Sequence, residues 1–262
     1  MTTAEFQEIV WEYYRVHGRE LPWRDNPTPY YVLVSELMLQ QTQVDRVIPK
    51  FHEFIAKFPD AERLAVASLA DVLVAWQGLG YNRRAKFLHE AAKAIAERGS
   101  FPETFDELVK LPGIGKNTAG AILAYAFEQP VAYVETNIRT VYLHHYFADR
   151  FDVTDTELLE IIERTLDREH PREWYSALMD YGTYLKKQGY GRNNASKHYK
   201  KQPPLKGSIR EVRGRIIKEL TVKTYSKEAL AKAVHADERF EPALEQLVGE
   251  GLVRRVGRSY SL

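Results

Sequence analysis

Ten residues, Leu111-Pro-Gly-Ile-Gly-Lys-Asn-Thr-Ala-Gly120, constrain the fold more than any other part of the chain. Gly113 and Gly115 stand two apart, where a backbone without Cβ can turn tightly and bring its N–H groups close to a neighbour. The apolar residues Ala119, Ala121, Ile122, Leu123 and Ala124 follow, so the glycines lead into a helix. Phe105, Leu108, Val109 and Leu111 share one face of a helix before the turn. Helix, short turn and helix therefore present unsatisfied N–H donors at a positive dipole end, which is an anion site. Such a hairpin can hold a DNA backbone phosphate without reading bases. Its contact residues would be Gly113, Gly115, Lys116 and Thr118. A plain helix–turn–helix corner with glycine as C-cap is the alternative.

Composition narrows the class. At 262 residues the chain can hold two compact modules or one large core. No apolar run is long enough for a transmembrane helix, and no membrane partner is expected. Met1 to Gly18 is acidic and amphipathic without a signal-peptide pattern, which predicts a cytoplasmic protein. There are no cysteines, which excludes disulfides, thiolate metal sites and cysteine nucleophiles. Net charge is only +1, but residues 1–185 carry 19 basic and 28 acidic side chains, against 18 and 8 in residues 186–262. A basic carboxyl-terminal surface suits a polyanion; a solvated lysine-rich tail is the bland alternative.

Nearly every segment up to residue 185 carries helical periodicity, so the body is predicted to be all-α. Phe6, Ile9, Val10 and Tyr13 line a first helix, and Leu21 to Pro29 reads as a proline-punctuated loop. Tyr31 to Gln43 is a helix apolar almost all round, and Tyr133 to Tyr146 is predicted as one helix. Lys186 to Lys201 holds six Lys/Arg and no acid, with Gly189, Gly191 and an Asn193-Asn194 pair. This is loop composition suited to DNA backbone contact, with Lys197 and Lys200 as candidate phosphate ligands. After the linker Gln202-Pro-Pro-Leu205 come three short helical patterns, the second capped by Ser226, and a hairpin turning at Gly257-Arg258. Together they predict a small winged-helix-like domain over 206–262, which binds either DNA or protein. The expected organisation is a module over 20–130, a second formed by 1–19 with 131–201, and this carboxyl-terminal domain.

Chemistry is sought in charges placed where they cost most. Glu36 interrupts Tyr30-Tyr-Val-Leu-Val-Ser-Glu-Leu-Met-Leu39. Desolvation there would raise its pKa and equip it as a general acid; the wet side of an ordinary helix is the other reading. Glu135, with Asn137 and Arg139 beside it, is the second candidate. Two carboxylates in unlike environments can divide glycosidic cleavage, one protonating the leaving group and the other stabilising an oxocarbenium-like centre.

The order Leu21-Pro-Trp-Arg24, Ser35-Glu-Leu-Met-Leu-Gln-Gln-Thr-Gln-Val44, Trp76-Gln-Gly-Leu-Gly-Tyr81, Leu111-Pro-Gly-Ile-Gly115 and Val134-Glu-Thr-Asn137 resembles the helix–hairpin–helix (HhH-GPD) DNA glycosylases. It is most similar to their adenine-specific, MutY-type branch, from about residue 5 to about residue 185. The resemblance implies two helical modules with DNA in the cleft between them. It implies that Glu36 protonates the purine ring, that Gln41 and Tyr81 wedge into the duplex, and that Trp23, Arg24 and Leu39 line the pocket for the flipped base. Gly113 and Gly115 would hold a phosphate, and Asn137 would assist Glu135. Flipping is needed because a stacked base hides its glycosidic bond.

Three departures qualify what the resemblance implies. Relatives with lyase activity carry a lysine where this chain has Asn117, and an amide cannot form a Schiff base; a monofunctional enzyme is expected, with Lys116 a poor substitute. The family's aspartate is Glu135, one methylene longer, followed by Thr136 where the branch usually has glycine. The cysteines that hold an iron–sulfur cluster in most relatives are missing, with Lys186 at the first position, so no cofactor is expected. Relatives also carry a larger Nudix-like domain where this chain has a winged-helix pattern, which predicts weaker discrimination of 8-oxoguanine. The implied function is excision of adenine opposite 8-oxoguanine or G from mismatched or damaged double-stranded DNA, by a nucleoid-associated monomer. Removal of uracil, thymine or hypoxanthine is the alternative within this chemistry, and a catalytically weak damage-binding protein is the alternative outside it.

Overall fold

The structure is a computed structural model that describes residues 1–191, 193–197 and 203–262. Among them are fifteen α-helices and three short strands. The helices are α1 (Thr3–His17), α2 (Pro22–Asp25), α3 (Pro29–Leu39), α4 (Val44–Lys57), α5 (Ala61–Val66), α6 (Leu69–Ala75), α7 (Arg83–Arg98) and α8 (Phe105–Leu108). They continue with α9 (Lys116–Phe127), α10 (Thr136–Tyr146), α11 (Asp155–Thr165), α12 (Pro171–Lys187) and α13 (Ile209–Leu220). Strand β1 (Tyr225–Ser226), α14 (Lys227–Ala233), α15 (Phe240–Gly249), β2 (Arg254–Val256) and β3 (Ser259–Ser261) complete the chain. No helix among the described residues is long and apolar enough to cross a membrane.

The chain divides into two compact units. One comprises residues 1–33, 102–110 and 114–201; the other comprises 34–101, 111–113 and 202–262. In the first, α10 and α12 pack together and α1 lies on α12. Phe6 and Val10 point from α1 into a fully buried cluster with Tyr142, Trp174 and Leu178, the Phe6 ring lying 5.1 Å from that of Tyr142. Gly182 lets α12 approach α10 closely, since a Cβ there would stand 2.3 Å from the Asn137 carbonyl oxygen.

In the second unit α7 packs on α5 and α6, and α13 packs on α15. The three strands form an antiparallel sheet ordered β1-β3-β2. Val256 pairs with Ser259, so the two-residue turn falls at Gly257-Arg258 as the sequence predicts. Tyr225–Ser226 adds a third strand that period-two alternation cannot reveal, because it is only two residues long. Ser226 caps α14 by accepting from the Ala229 N–H.

Three segments differ from sequence expectation. The loop at Leu21–Pro29 contains the single turn α2, started by Pro22 at a position where its missing N–H costs nothing. Helix α3 ends at Leu39 rather than Gln43, because Gln41 turns left-handed at φ 57°. Helix α10 begins at Thr136 rather than Tyr133, because the Glu135 carboxylate accepts the Asn137 N–H and caps it. Val131–Val134 is extended chain leading in.

Candidate active site

Two groups of candidate residues emerge, one in each compact unit. In the second unit, Val34 to Met38 on α3 is buried except for Glu36, which is half-buried. Leu39, also half-buried, closes the helix. Two residues further on, Gln41 adopts its left-handed conformation, and Tyr81 does the same at φ 47°. Neither is glycine, and an L-residue pays on the order of 1–2 kcal/mol to sit there. Both side chains are exposed, and the Tyr81 hydroxyl donates to Gln41 Oε1 at 3.1 Å. The two expected wedge residues thus form one polar pair.

Arg84, on the first turn of α7, holds the two loops in place. Its Nη1 donates to the carbonyl oxygens of Leu37 (2.6 Å), Met38 (2.9 Å) and Gln40 (2.6 Å). Its Nη2 donates to Thr42 Oγ1 (3.2 Å), Leu79 O (3.0 Å) and Gly80 O (3.1 Å). The guanidinium lies 5.5 Å from the Trp76 ring centre and 5.4 Å from that of Tyr81. Burial without a carboxylate lowers its pKa to about 10, which still leaves it charged at neutral pH. A cation at the carboxyl end of α3 also meets the negative end of the helix dipole. Sequence reasoning missed Arg84, yet a signal was present. Arg84, Leu88, Ala91, Ala92 and Ile95 recur at helical spacing, and all are buried on one face of α7.

Gly113 and Gly115 are not equivalent. Gly113 has φ +75°, and a Cβ there would meet Phe87 Cβ at 2.4 Å. Gly115 lies in ordinary extended backbone where a Cβ would meet no atom of the described residues within 4 Å, and it caps α9 without a side chain. Open space beside Gly115 leaves the first N–H groups of α9 approachable by an anion. Lys116 and Asn117 are exposed on that first turn, while Thr118 is buried.

In the first unit the Glu135 carboxylate accepts the Asn137 backbone N–H at 2.7 Å. The Asn137 side chain turns away, its Nδ2 lying 3.7 Å from Met179 Sδ, and its buried Oδ1 has no hydrogen-bond partner among the described residues. Asn137 therefore meets Glu135 through its backbone. Trp23 is buried on α2. Arg24 is bound up in structure: it donates to both Asp180 oxygens at 2.9 Å and to the Arg19 and Ser176 carbonyls. Burial would lower the Arg24 pKa, but its bonds to Asp180 leave it raised. Burial likewise acts to raise the Asp180 carboxyl, but Arg24 and Arg19 hold it below its usual value.

Lys197 is exposed, and its N–H donates to Val153 O at 3.2 Å, which ties the basic loop to the body of this unit. Lys200 lies outside the described residues. An iron–sulfur cluster does not fit this chain. It has no thiolate to hold one, and Lys186, at the expected first position, lies in the last turn of α12.

Residues 34–166 match the HhH-GPD superfamily base excision DNA repair protein family, and the chain belongs to it. Among curated relatives, an adenine DNA glycosylase of Buchnera aphidicola subsp. Baizongia pistaciae is 38% identical over 71% of this chain and 54% of its own length. That of Mycobacterium tuberculosis (strain H37Rv) is 46% identical over 51% of this chain and 44% of its own. The chain thus spans about half the length of the curated relatives it matches. The solved structure of a thermostable thymine-DNA glycosylase is similar with TM-score 0.63 at 25% identity, covering 69% of this chain and 85% of that one.

Proposed function

We propose that this chain is a monofunctional DNA glycosylase of base excision repair. It would bind double-stranded DNA containing a mismatch or lesion, as a monomer, and hydrolyse the N-glycosidic bond of flipped adenine opposite 8-oxoguanine or G. The observation that carries this reading is that the helix bearing the acid leads directly into the wedge. Helix α3 holds Glu36 half-buried in an otherwise buried run and ends two residues before Gln41, which is paired with Tyr81. An acid that must protonate a base leaving the stack belongs on the element that opens the stack.

The Glu36 carboxyl donates its proton to a ring nitrogen of the extruded purine. The bond to C1′ then breaks with its electron pair leaving on the base, and an oxocarbenium-like sugar remains. Glu135, fixed by the Asn137 N–H, supplies the negative charge that stabilises this cation. Water adds to C1′, and the proton it loses returns to the Glu36 carboxylate. Asn117 cannot form a Schiff base, so the product is an intact abasic strand. The first turn of α9 anchors a backbone phosphate, and Lys116 and Lys197 add positive charge.

The likeness to a thymine-DNA glycosylase favours a second reading, in which the excised base is a mismatched pyrimidine or hypoxanthine. Single-turnover assays on duplexes with A:8-oxoguanine, A:G, U:G, T:G and hypoxanthine:T separate the two. Release of adenine, lost in Glu36→Gln, is the expected result. Release confined to the pyrimidine or hypoxanthine pairs would favour the second reading. Tight binding without release, unchanged by Glu36→Gln, would leave only a damage-binding protein. Strand cleavage without added alkali would contradict the role given to Asn117.

A further inference from the structure

Tyr81 is held by a part of the chain that lies beyond residues 34–166, the stretch matched by the family. Its hydroxyl donates to Gln41 and accepts a hydrogen bond from the Arg210 guanidinium, which also lies 5.4 Å from the Tyr81 ring centre. Arg210 is the second residue of α13, 129 positions away along the chain. Its other terminal nitrogen donates to Pro203 O at 2.7 Å. Proline carbonyls there can only accept, and the fixed ring torsion makes them a stiff anchor. The same module meets the elements around Tyr81 at further points. Gln77 donates to Thr221 Oγ1, and Lys86 donates to the carbonyl of Glu250, whose carboxylate binds Arg213. Residues 202–262 accordingly fall in one compact unit with residues 34–101.

We propose that the carboxyl-terminal module is a working part of the wedge, with Arg210 as the positioning residue that fixes the Tyr81 side chain before DNA arrives. The proposal rests on the reading of Gln41 and Tyr81 as wedge residues. An exposed tyrosine would lose rotamer freedom on insertion. Fixing its hydroxyl from two sides and covering its ring removes that cost in advance, which speeds insertion. Arg210 suits this task because a planar guanidinium reaches a hydroxyl, a ring face and a carbonyl at once, as an ammonium cannot.

The test uses the full chain and a duplex carrying a stable abasic analogue opposite G, with 2-aminopurine stacked beside that G. Wedge insertion unstacks the probe and raises its fluorescence without any base release, so a failure of catalysis leaves the readout intact. Arg210→Ala is expected to slow the insertion phase about tenfold while leaving the encounter step and its salt dependence unchanged. Tyr81→Phe should do the same, the double variant should be no worse than either, and Arg210→Lys should recover only part of the rate. Additive losses in the double variant would overturn the proposal. So would a slower encounter with a salt slope shallower by about one, which marks Arg210 as a phosphate contact. No fluorescence change with the wild type would refute the wedge reading itself, and this inference with it.

Discussion

At the scale of single residues, Arg84 carries the heaviest structural load for its size. One guanidinium, at a site 7% exposed, serves five backbone carbonyls and one hydroxyl, and only Gly80 O and Gln40 O have a second side-chain donor among the described residues, from Trp76 Nε1 and Thr42 Oγ1. Arg84→Ala is expected to cost on the order of 3 kcal/mol in denaturant unfolding, because several carbonyls lose their donor inside the protein. Arg84→Lys should recover little, since three ammonium protons cannot serve six acceptors in two loops. Equal stability of the alanine variant and wild type would show the bonds to be redundant. Glu135 invites a conservative exchange. Aspartate is a good helix N-cap, so Glu135→Asp should keep α10 intact, and single-turnover excision should hold or improve if the carboxylate acts as proposed. Complete loss of excision in a folded variant would mean that the site is rebuilt around the longer side chain.

At the scale of elements, the hairpin between α8 and α9 makes a prediction that separates its two glycines. Gly113→Ala must hold a left-handed backbone and push against Phe87, which together should cost at least about 2 kcal/mol. Gly115→Ala removes only a favoured cap residue and should cost under about 1 kcal/mol. Thermal melts of the two variants give the comparison, and equal losses would contradict the geometry. A second element-level prediction concerns Asp180 on α12, whose side chain is 1% exposed between Arg19 and Arg24. Its carboxyl lies below its unfolded value, so the stability it contributes is complete above the unfolded pKa of about 4 and is lost as pH falls through the lower folded value. Asp180→Asn should remove about 3–5 kcal/mol near neutral pH, by leaving Arg24 buried without its anion, and should flatten the acid limb of a melting-temperature profile. An unchanged acid limb would place the titration elsewhere.

At the scale of the whole molecule, the carboxyl-terminal helices and strands share a compact unit with α4 to α7. Amide exchange in α13 and α7 should therefore rise together as denaturant is added, since Thr221 at the end of α13 binds Gln77 in the turn after α6, and Lys86 on α7 binds the Glu250 carbonyl at the end of α15, which packs on α13. Protection of α13 lost well before that of α7 would show an independently opening module.

Much of this was legible in sequence because it depends on local pattern. Most helices, the cap at Ser226, the Gly257-Arg258 turn and the glycine hairpin are set by residues near in the chain and lie where the pattern puts them. Glu36 stood out because a carboxylate inside an apolar helix is anomalous in one dimension already. What pattern could not supply was the use made of long side chains. Nothing in the order of residues shows that Asp180 binds Arg24 from 156 positions away, and Glu135 is read as lying inside a helix until its carboxylate is found capping the next one. The ends of α3 and the left-handed turns at Gln41 and Tyr81 follow from Arg84 gathering carbonyls from two loops. Sequence by itself thus determined which segments coil and which residues stand out as candidates for the chemistry, since these follow from patterns a few residues long. Only the tertiary structure decided which cations are spent on holding the fold, because the partners of a guanidinium are chosen by space and not by order along the chain.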